Sequence, residues 1–501
     1  MSDAPIGGQD GLSVEERGDG SRLVSIRRTA ADGRVLVFRH DFPDSVRHHY
    51  RSAGVDEDVL LYRGEFSYPG DERSFSGDVR FSWRPSPCIQ VRGERSVELA
   101  ALNDWLSGRP DQGMWVEPGG VLIELADGVL PDQPGEPFVA RGLGNSVHDR
   151  HIDQELGEAH ELEQVTFLVP NGWQAHDATG ICDSADLAKT WRGRAEAAGD
   201  GWTVTLDRDA VMDLAAWKEL KESGGRRFTH IGRLTRADGS AFTGQEAQEA
   251  LDRVRLGLNL ALGRRITCAL PVGWRGGQPI WCRWHRAPVD TFRSASHLLD
   301  ETVCRQQIRE VVSRVLDFTA DPARREALRH AISYYVAANV DVNVDLSVAI
   351  PLSGLQLLAY FRFVTEGTYS HTQWKKLNTE AELRLLIDEI RIDTAVPAHF
   401  TNLINVQNRL AKTPPPRDAL GLIIKMRNVV THPTRDQPGC FSIYEWAEAG
   451  MLARYWLCLA LLHALDYQGP IAATMEAPPR MAGQLHPVPW VPHTSGSTTT
   501  P

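Results

Sequence analysis

Apolar and polar residues alternate in short runs through the first third of the chain. RLVSIRR (22–28), RVLVFRH (34–40), VLLYRGEFSY (59–68), SGDVRFSW (76–83), CIQVRGE (88–94), VLIELADG (121–128) and EQVTFLVPNGW (163–173) have the texture of strands. Turn dipeptides such as Asp32-Gly33 and Pro69-Gly70 separate them. The pattern predicts a β-rich N-terminal domain, sandwich- or barrel-like, over residues 21–175. Residues 1–20 are small, polar and glycine-rich, and are expected to be disordered. Residues 176–293 mix the two periods: FTHIGRLTRADGSAF (228–242) reads as a hairpin around Asp238-Gly239, and EAQEALDRVRLGLNLALGRR (246–265) as a helix.

From residue 294 onward the period becomes helical. LLDETVCRQQIREVVSRVLDF (298–318) places apolar residues at 299, 303, 308, 311, 312 and 315, a single stripe. LSVAIPLSGLQLLAYFRFV (346–364), AELRLLIDEIRI (381–392), ALGLIIKMRNVVT (419–431) and YEWAEAGMLARYWLCLALLHALDY (444–467) complete a bundle-sized set over 294–470. Residues 471–501, rich in Pro, Thr and Ser, read as a disordered tail. The expected class is therefore α+β and multidomain: a β-rich N-terminal region followed by an all-α helical bundle.

Composition narrows the compartment more than the chemistry. The 501 residues are 42% hydrophobic and 24% charged, without a run of 18 apolar residues. The longest apolar block, YWLCLALLHAL (455–465), suits a buried helix, and the chain opens without a signal-peptide pattern. Seven scattered cysteines, none in a C-x-x-C pair, argue for reduced thiols. The expectation is a cytoplasmic protein with no membrane partner. A net charge of −11 argues against bulk nucleic-acid binding, but the charge is unevenly placed. Between Val396 and Arg435 the sole acid is Asp418, against Arg409, Lys412, Arg417, Lys425, Arg427 and Arg435.

That basic stretch holds the one constellation with chemical promise. On a helical wheel Leu420, Ile423, Ile424, Met426 and Val430 all lie within about 100° of Arg427, so the guanidinium sits in the apolar arc. Arginine is seldom buried without a partner or a task. Pro433 disfavours helix at His432, which places that imidazole at the helix C-terminus, where the dipole favours its charged form. A histidine that moves a proton and an arginine that grips phosphate suffice for metal-free RNA cleavage. The alternative is an arginine salt-bridged in the core beside a capping histidine. Arg325 and His330 repeat the spacing, but in a charged, solvent-type helix.

A helical bundle carrying R-N-x-x-x-H at the end of its penultimate helix resembles the HEPN superfamily, and more closely the ApeA-like bacterial HEPN proteins with β-rich N-terminal regions. FTHIGRLTRADGSAF and GRRITCALPVGW (263–274) are similar to N-terminal parts of such proteins. The resemblance implies a metal-independent endoribonuclease, a homodimer through the helical domain, and work in phage defence or a toxin-like system. It implies catalytic roles for Arg427 and His432, with Asn428 orienting them. Arg409, Lys412, Arg417, Lys425 and Arg435 would then bind RNA, tRNA being one candidate, while the N-terminal region meets a phage or cellular trigger. One departure stands out: SGLQLLAYF offers Gln356 where many members carry an acid. A second expectation is a non-catalytic HEPN-like dimerisation or binding module with a ligand- or protein-recognising N-terminal domain.

No cofactor and no metal site is expected. Cys268, Cys282 and His285 supply three possible zinc ligands where a structural site takes four. Gly142-Leu-Gly144 reads as a turn, His48-His49 as a polar loop, and Trp83, Trp274, Trp281 and Trp284 as core.

Overall fold

A computed structural model describes residues 12–16, 22–29, 35–42, 44–51, 54–67, 74–84, 86–94, 114–118, 123–125, 127–129, 137–141, 154–174, 180–182, 190–293, 305–340, 343–344, 346–410, 417–431, 441–473, 475 and 485–491. The chain is mixed α/β, with a β-rich N-terminal half and a helical C-terminal region. Two antiparallel sheets come first. Leu12–Glu16, Arg22–Thr29 and Val35–Phe42 form a three-stranded meander, so a strand lies inside the stretch expected to be disordered. Its ladder partner, the alternating RLVSIRR run, supplies the hydrogen bonds that a Gly-rich composition does not reveal. Val59–Ser67, Ser74–Ser82 and Cys88–Glu94 are the centre of a seven-stranded sheet.

The second seven-stranded sheet organises the molecule. Its order is Gln154–Gly157, Gln278–Trp284, Ala269–Arg275, Gln164–Pro170, Phe228–Arg236, Trp202–Arg208 and Arg194–Gly199, with every pairing antiparallel. The run at 163–173, expected in the first domain, is the middle strand of this sheet. The boundary placed at 175 therefore falls before residue 154. Gln164–Pro170 is buried on both faces from Val165 onward, so its near-continuous apolar run gave no alternation to assign it by. At Gly232 a Cβ would lie 2.1 Å from the Phe167 ring, so any larger residue there would have to displace that buried ring.

Asp238-Gly239 does form a turn, with Gly239 at φ 75°. The chain then makes a single bridge, Phe242 to Leu162, and enters a helix rather than returning as a hairpin. Helix α1 (Leu214–Ser223) precedes that strand and α2 (Gly244–Leu262) follows it. A capping box between Thr243 and Glu246 starts α2 and Gly263, at φ 60°, ends it. The helical region comprises α3 (Arg305–Phe318), α4 (Pro322–Ala338), α5 (Leu346–Tyr360), α6 (His371–Trp374), α7 (Thr379–Ile390), α8 (Thr401–Leu410), α9 (Ala419–Thr431) and α10 (Ile443–Ala464). A π-helical segment, Phe361–Thr365, extends α5. Leu346–Thr365 is long and apolar enough to cross a membrane by length and composition, yet it packs between α4 and α10.

The hydrophobic core does not stop at residue 293. Val204 and Leu206 of the sheet, Val254 and Leu258 of α2, Val311 and Val315 of α3, and Leu352 and Trp456 of the bundle belong to one buried cluster. Helix α3 is the joint. Ser313 Oγ accepts the Ala198 N–H at 3.0 Å, Asp317 accepts that of Asp200 at 2.7 Å, and Arg253 of α2 donates to the Leu316 carbonyl and to Thr319 Oγ1. The other face of the sheet meets the first seven-stranded sheet through Phe81 and Trp83, which pack on Phe228.

The expected C-terminal tail also begins in structure. Ile471–Ala472 pairs with Leu485–His486, Val488 is buried, and Trp490 donates to the Tyr467 carbonyl at 2.8 Å. Proline-rich composition hid these few anchoring apolar residues.

Candidate functional site

Helix α9 carries Arg427. Its start is fixed by Asp418, whose Oδ1 accepts the Gly421 N–H at 3.0 Å while both carboxylate oxygens take Arg384 at 2.8 and 2.9 Å. Hydrogen bonding to Arg384 and to the Gly421 amide holds the Asp418 carboxyl below its usual range against the opposing effect of burial. Leu420, Ile423, Ile424 and Met426 are buried in the bundle core, as the wheel predicts, and the helix is described through Thr431. His432, Lys412 and Arg435 lie outside the described residues.

Arg427 is half-buried on that helix, and its surroundings are amides. Nη2 donates to Gln356 Oε1 at 3.5 Å and Nη1 to Asn428 Oδ1 at 3.3 Å. Nε is buried without a hydrogen-bond partner. Among the described residues Arg427 makes no ion pair. A guanidinium with long bonds and an unused donor is under-satisfied, the condition in which an incoming acceptor gains most.

Gln356, on α5, has a second partner. Its Nε2 donates to Glu382 Oε2 on α7 at 3.0 Å, with Thr379 Oγ1 at 3.5 Å. The acid absent from the α5 position is thus present one residue further out, reached through the amide. Sequence reasoning passed over Glu382; its place in the first turn of α7 looks like routine N-terminal charge.

The tertiary structure changes the reading of the basic stretch. Arg409 at the end of α8 pairs with Glu445 at 3.0 Å, and Glu445 also accepts the Ser442 N–H as the capping box of α10. Arg417 Nη1 is 3.7 Å from Glu380. The acid depletion between 396 and 435 is real along the chain, but α7 and α10 bring acids onto it. Lys425 is half-buried and forms no ion pair among the described residues. Of the expected RNA-contacting cations, Arg409 and Arg417 would have to share or give up a carboxylate.

The other sequence candidates separate. His330 bonds Glu326 at 2.8 Å while Arg325 donates to the Thr319 carbonyl, so the repeated spacing assembles nothing. Cys268 and His285 line a cavity of about 290 Å³ beside α2, whereas Cys282 pairs opposite Val272 in the sheet. Among the described residues no three His, Cys, Asp or Glu side chains converge as a metal site would require. His48 and His49 do lie outside strands and helices, and His49 is exposed, but His48 is half-buried: its Nε2 donates to the Leu270 carbonyl at 2.9 Å, and burial lowers its pKa to about 4. Gly142-Leu-Gly144 lies outside the described residues.

With this geometry in place, the comparisons with known proteins bear on both halves. Residues 157–295 match the model of the YopA central domain, and residues 321–485 that of the YopA C-terminal domain. The chain is similar to YopA. The SPbeta prophage-derived uncharacterized protein YopA of Bacillus subtilis (strain 168) is 23% identical over 446 residues, which cover 87% of this chain and 96% of that one. The YopA central-domain match opens inside the second seven-stranded sheet, and the C-terminal match runs on to the strand at 485–486. No solved structure matches. The matching models are those of YopA, so the HEPN resemblance stands on Arg427, Asn428 and their helical setting.

Proposed function

We propose that the helical region is a metal-independent endoribonuclease of HEPN type, acting in phage defence or a toxin-like system, with the N-terminal sheets as its sensing or regulatory part. The observation that carries this reading is Arg427: a half-buried guanidinium with an unpartnered Nε, facing amides, five residues before His432 in the sequence. In the proposed reaction His432 takes the proton of the substrate's 2′-hydroxyl or gives one to the leaving 5′-oxygen. Arg427 holds the phosphate as charge grows on it, and Asn428 fixes the guanidinium. The products carry 2′,3′-cyclic phosphate and 5′-hydroxyl ends. The relative's prophage origin accords with a role in conflict between phage and host. RNA, tRNA among the candidates, is the proposed substrate, and a second copy of the chain the proposed partner through the helical domain.

The purified full chain, incubated with total RNA in EDTA, tests this. Cleavage should persist, and His432→Ala should slow it by roughly 10²–10⁴, the span of a lost acid–base group. Arg427→Lys should also cut poorly, because an ammonium lacks the two-pronged grip, while Arg325→Ala should match the parent. Cleavage that requires added magnesium, or a His432→Ala protein as fast as the parent, would sink the assignment.

A second reading, a non-catalytic HEPN-like module for dimerisation or partner binding, draws on the carboxylates at Arg409 and Arg417. Overexpression separates the two. A nuclease arrests growth and His432→Ala relieves it; a binding module leaves both proteins equally benign.

A further inference from the structure

A cavity of about 420 Å³ opens between α3, the start of α4, the end of α5, α7 and the end of α10. Its floor is apolar: Leu358, Phe361, Leu386 and Ala460 are all buried. Its mouth is a mesh of opposite charges. Arg362 bonds Glu389 at 2.8 Å and Glu366 at 3.1 Å; Arg324 reaches the same Glu366 at 3.1 Å; Arg314 pairs with Asp466 at 3.1 Å. The π-helical segment builds one wall. Its wider turn, closed by the Glu366 N–H on the Phe361 carbonyl at 3.0 Å, brings Arg362 and Glu366 to the rim together with the Phe361 ring. Such single-turn insertions recur at functional sites. A half-buried imidazole, His463, lies at the cavity edge against Trp490. Burial lowers its pKa, so it is neutral at pH 7 and offers one donor and one acceptor.

We propose that this cavity binds a small amphoteric molecule of the amino-acid class, with its carboxylate and ammonium in the charged mouth and an apolar side chain on the floor. The charge pattern selects the class. A plain anion would meet Glu366 and Glu389 at the rim, and a plain cation would meet three guanidiniums. A wholly apolar molecule would strip water from four ion pairs without replacing it, which is costly. A ligand bearing both charges a few ångströms apart inserts between guanidinium and carboxylate and leaves each one paired. The volume and the apolar floor are those of an ordinary small-molecule pocket.

The site has a mechanical position as well. It is lined by Asp317, which anchors α3 to the central sheet through Asp200, and by α5 and α7, whose earlier turns carry Gln356 and Glu382. From Glu382 to Glu389 along α7 is about 10 Å at the rise of a helix. A bound ligand would thus join the sheet-docked helix to the two helices that hold Arg427. The binding claim itself does not depend on RNA cleavage.

Calorimetric titration of the full chain with each of the twenty L-amino acids tests it, with acetate, methylammonium, inorganic phosphate and adenosine as single-feature probes. At least one apolar or aromatic amino acid should bind at or below millimolar concentration. Arg362→Gln and Glu389→Gln should each weaken it tenfold or more. Ala464→Trp, which fills the cavity from the helix end, should abolish binding while the unliganded thermal midpoint shows that the fold persists. The proposal is overturned if no amino acid binds, if any single-feature probe binds as tightly, or if Ala464→Trp or both charge variants bind like the parent.

Discussion

Gln356 and Glu382, 26 residues apart on different helices, are joined by a 3.0 Å hydrogen bond, and the other end of the same amide faces Arg427. The amide therefore passes the position of a carboxylate on α7 to a guanidinium on α9. If Arg427 acts on RNA, Gln356→Leu should lower the cleavage rate about 10- to 100-fold, since a misplaced positioning group commonly has effects of this order. Gln356→Glu keeps an acceptor for Arg427 but replaces the donor to Glu382 with a second carboxylate, so it should retain more activity than Gln356→Leu and less than the parent. Single-turnover rates on one RNA check this; equal rates for the two variants would remove Gln356 from the site.

The strand pair at the edge of the central sheet depends on a buried ion pair. Arg194 and Asp207 are 6% and 2% exposed and bond in two-pronged fashion at 2.8 Å, while Asp207 Oδ2 also accepts the Val46 N–H at 2.7 Å. Removing the Asp207 charge leaves Arg194 with the Asp44 carbonyl and Glu196 at 3.9 Å, so the loss is at most about 3–5 kcal/mol. Asp207→Asn should lower the stability read by chemical denaturation by up to that amount. It should also loosen residues 44–50, seen as faster amide exchange at Val46.

Two histidines, His230 buried and His48 half-buried, set a pH dependence. Burial lowers His48 to about 4 and His230, stacked on Trp173 at 3.9 Å, to about 3. Both are neutral in the folded chain but take up a proton near pH 6.5 once unfolded. The unfolded state therefore binds more protons below that pH, and stability falls as pH drops from about 6.5 toward 4. Each histidine contributes a slope of at most about 1.4 kcal/mol per pH unit in this window and none above pH 7. Urea midpoints measured from pH 8 to 4 should show a shallower fall for His230→Gln than for the parent; parallel curves would contradict the assignment.

Helix α3 cannot be taken from the sheet without exposing its core face. Ile308, Val311, Val312, Val315 and Leu316 are fully buried, and Gly257 of α2 lies so close that a Cβ would sit 3.0 Å from Val312 Cα. Residues 295–475 expressed alone should therefore aggregate or unfold without a cooperative transition, which light scattering and a melting curve would reveal. Autoinhibition by the N-terminal region is better tested in the full chain. Asp317→Asn weakens the joint to Asp200, and should raise cleavage if docking restrains the enzyme and leave it unchanged if it does not.

Periodicity within a window of a dozen residues determined the elements. The helical stripes at 298–318 and 419–431, the alternating strands, and the apolar setting of Arg427 all follow from which residues share a face, a local property. What only the tertiary structure decided are the pairings between distant segments. It placed the doubly buried run 164–170 at the centre of a sheet instead of in the domain before it. It set Glu445, 36 residues from Arg409, against that guanidinium and turned an apparently free basic stretch into a partly neutralised one. It supplied Glu382 where α5 offers an amide, and drew Val488 and Trp490 out of a proline-rich tail onto the core. None of these can be read from spacing, because which charge meets which, and which apolar residue finds a cavity, depends on how whole elements pack against one another.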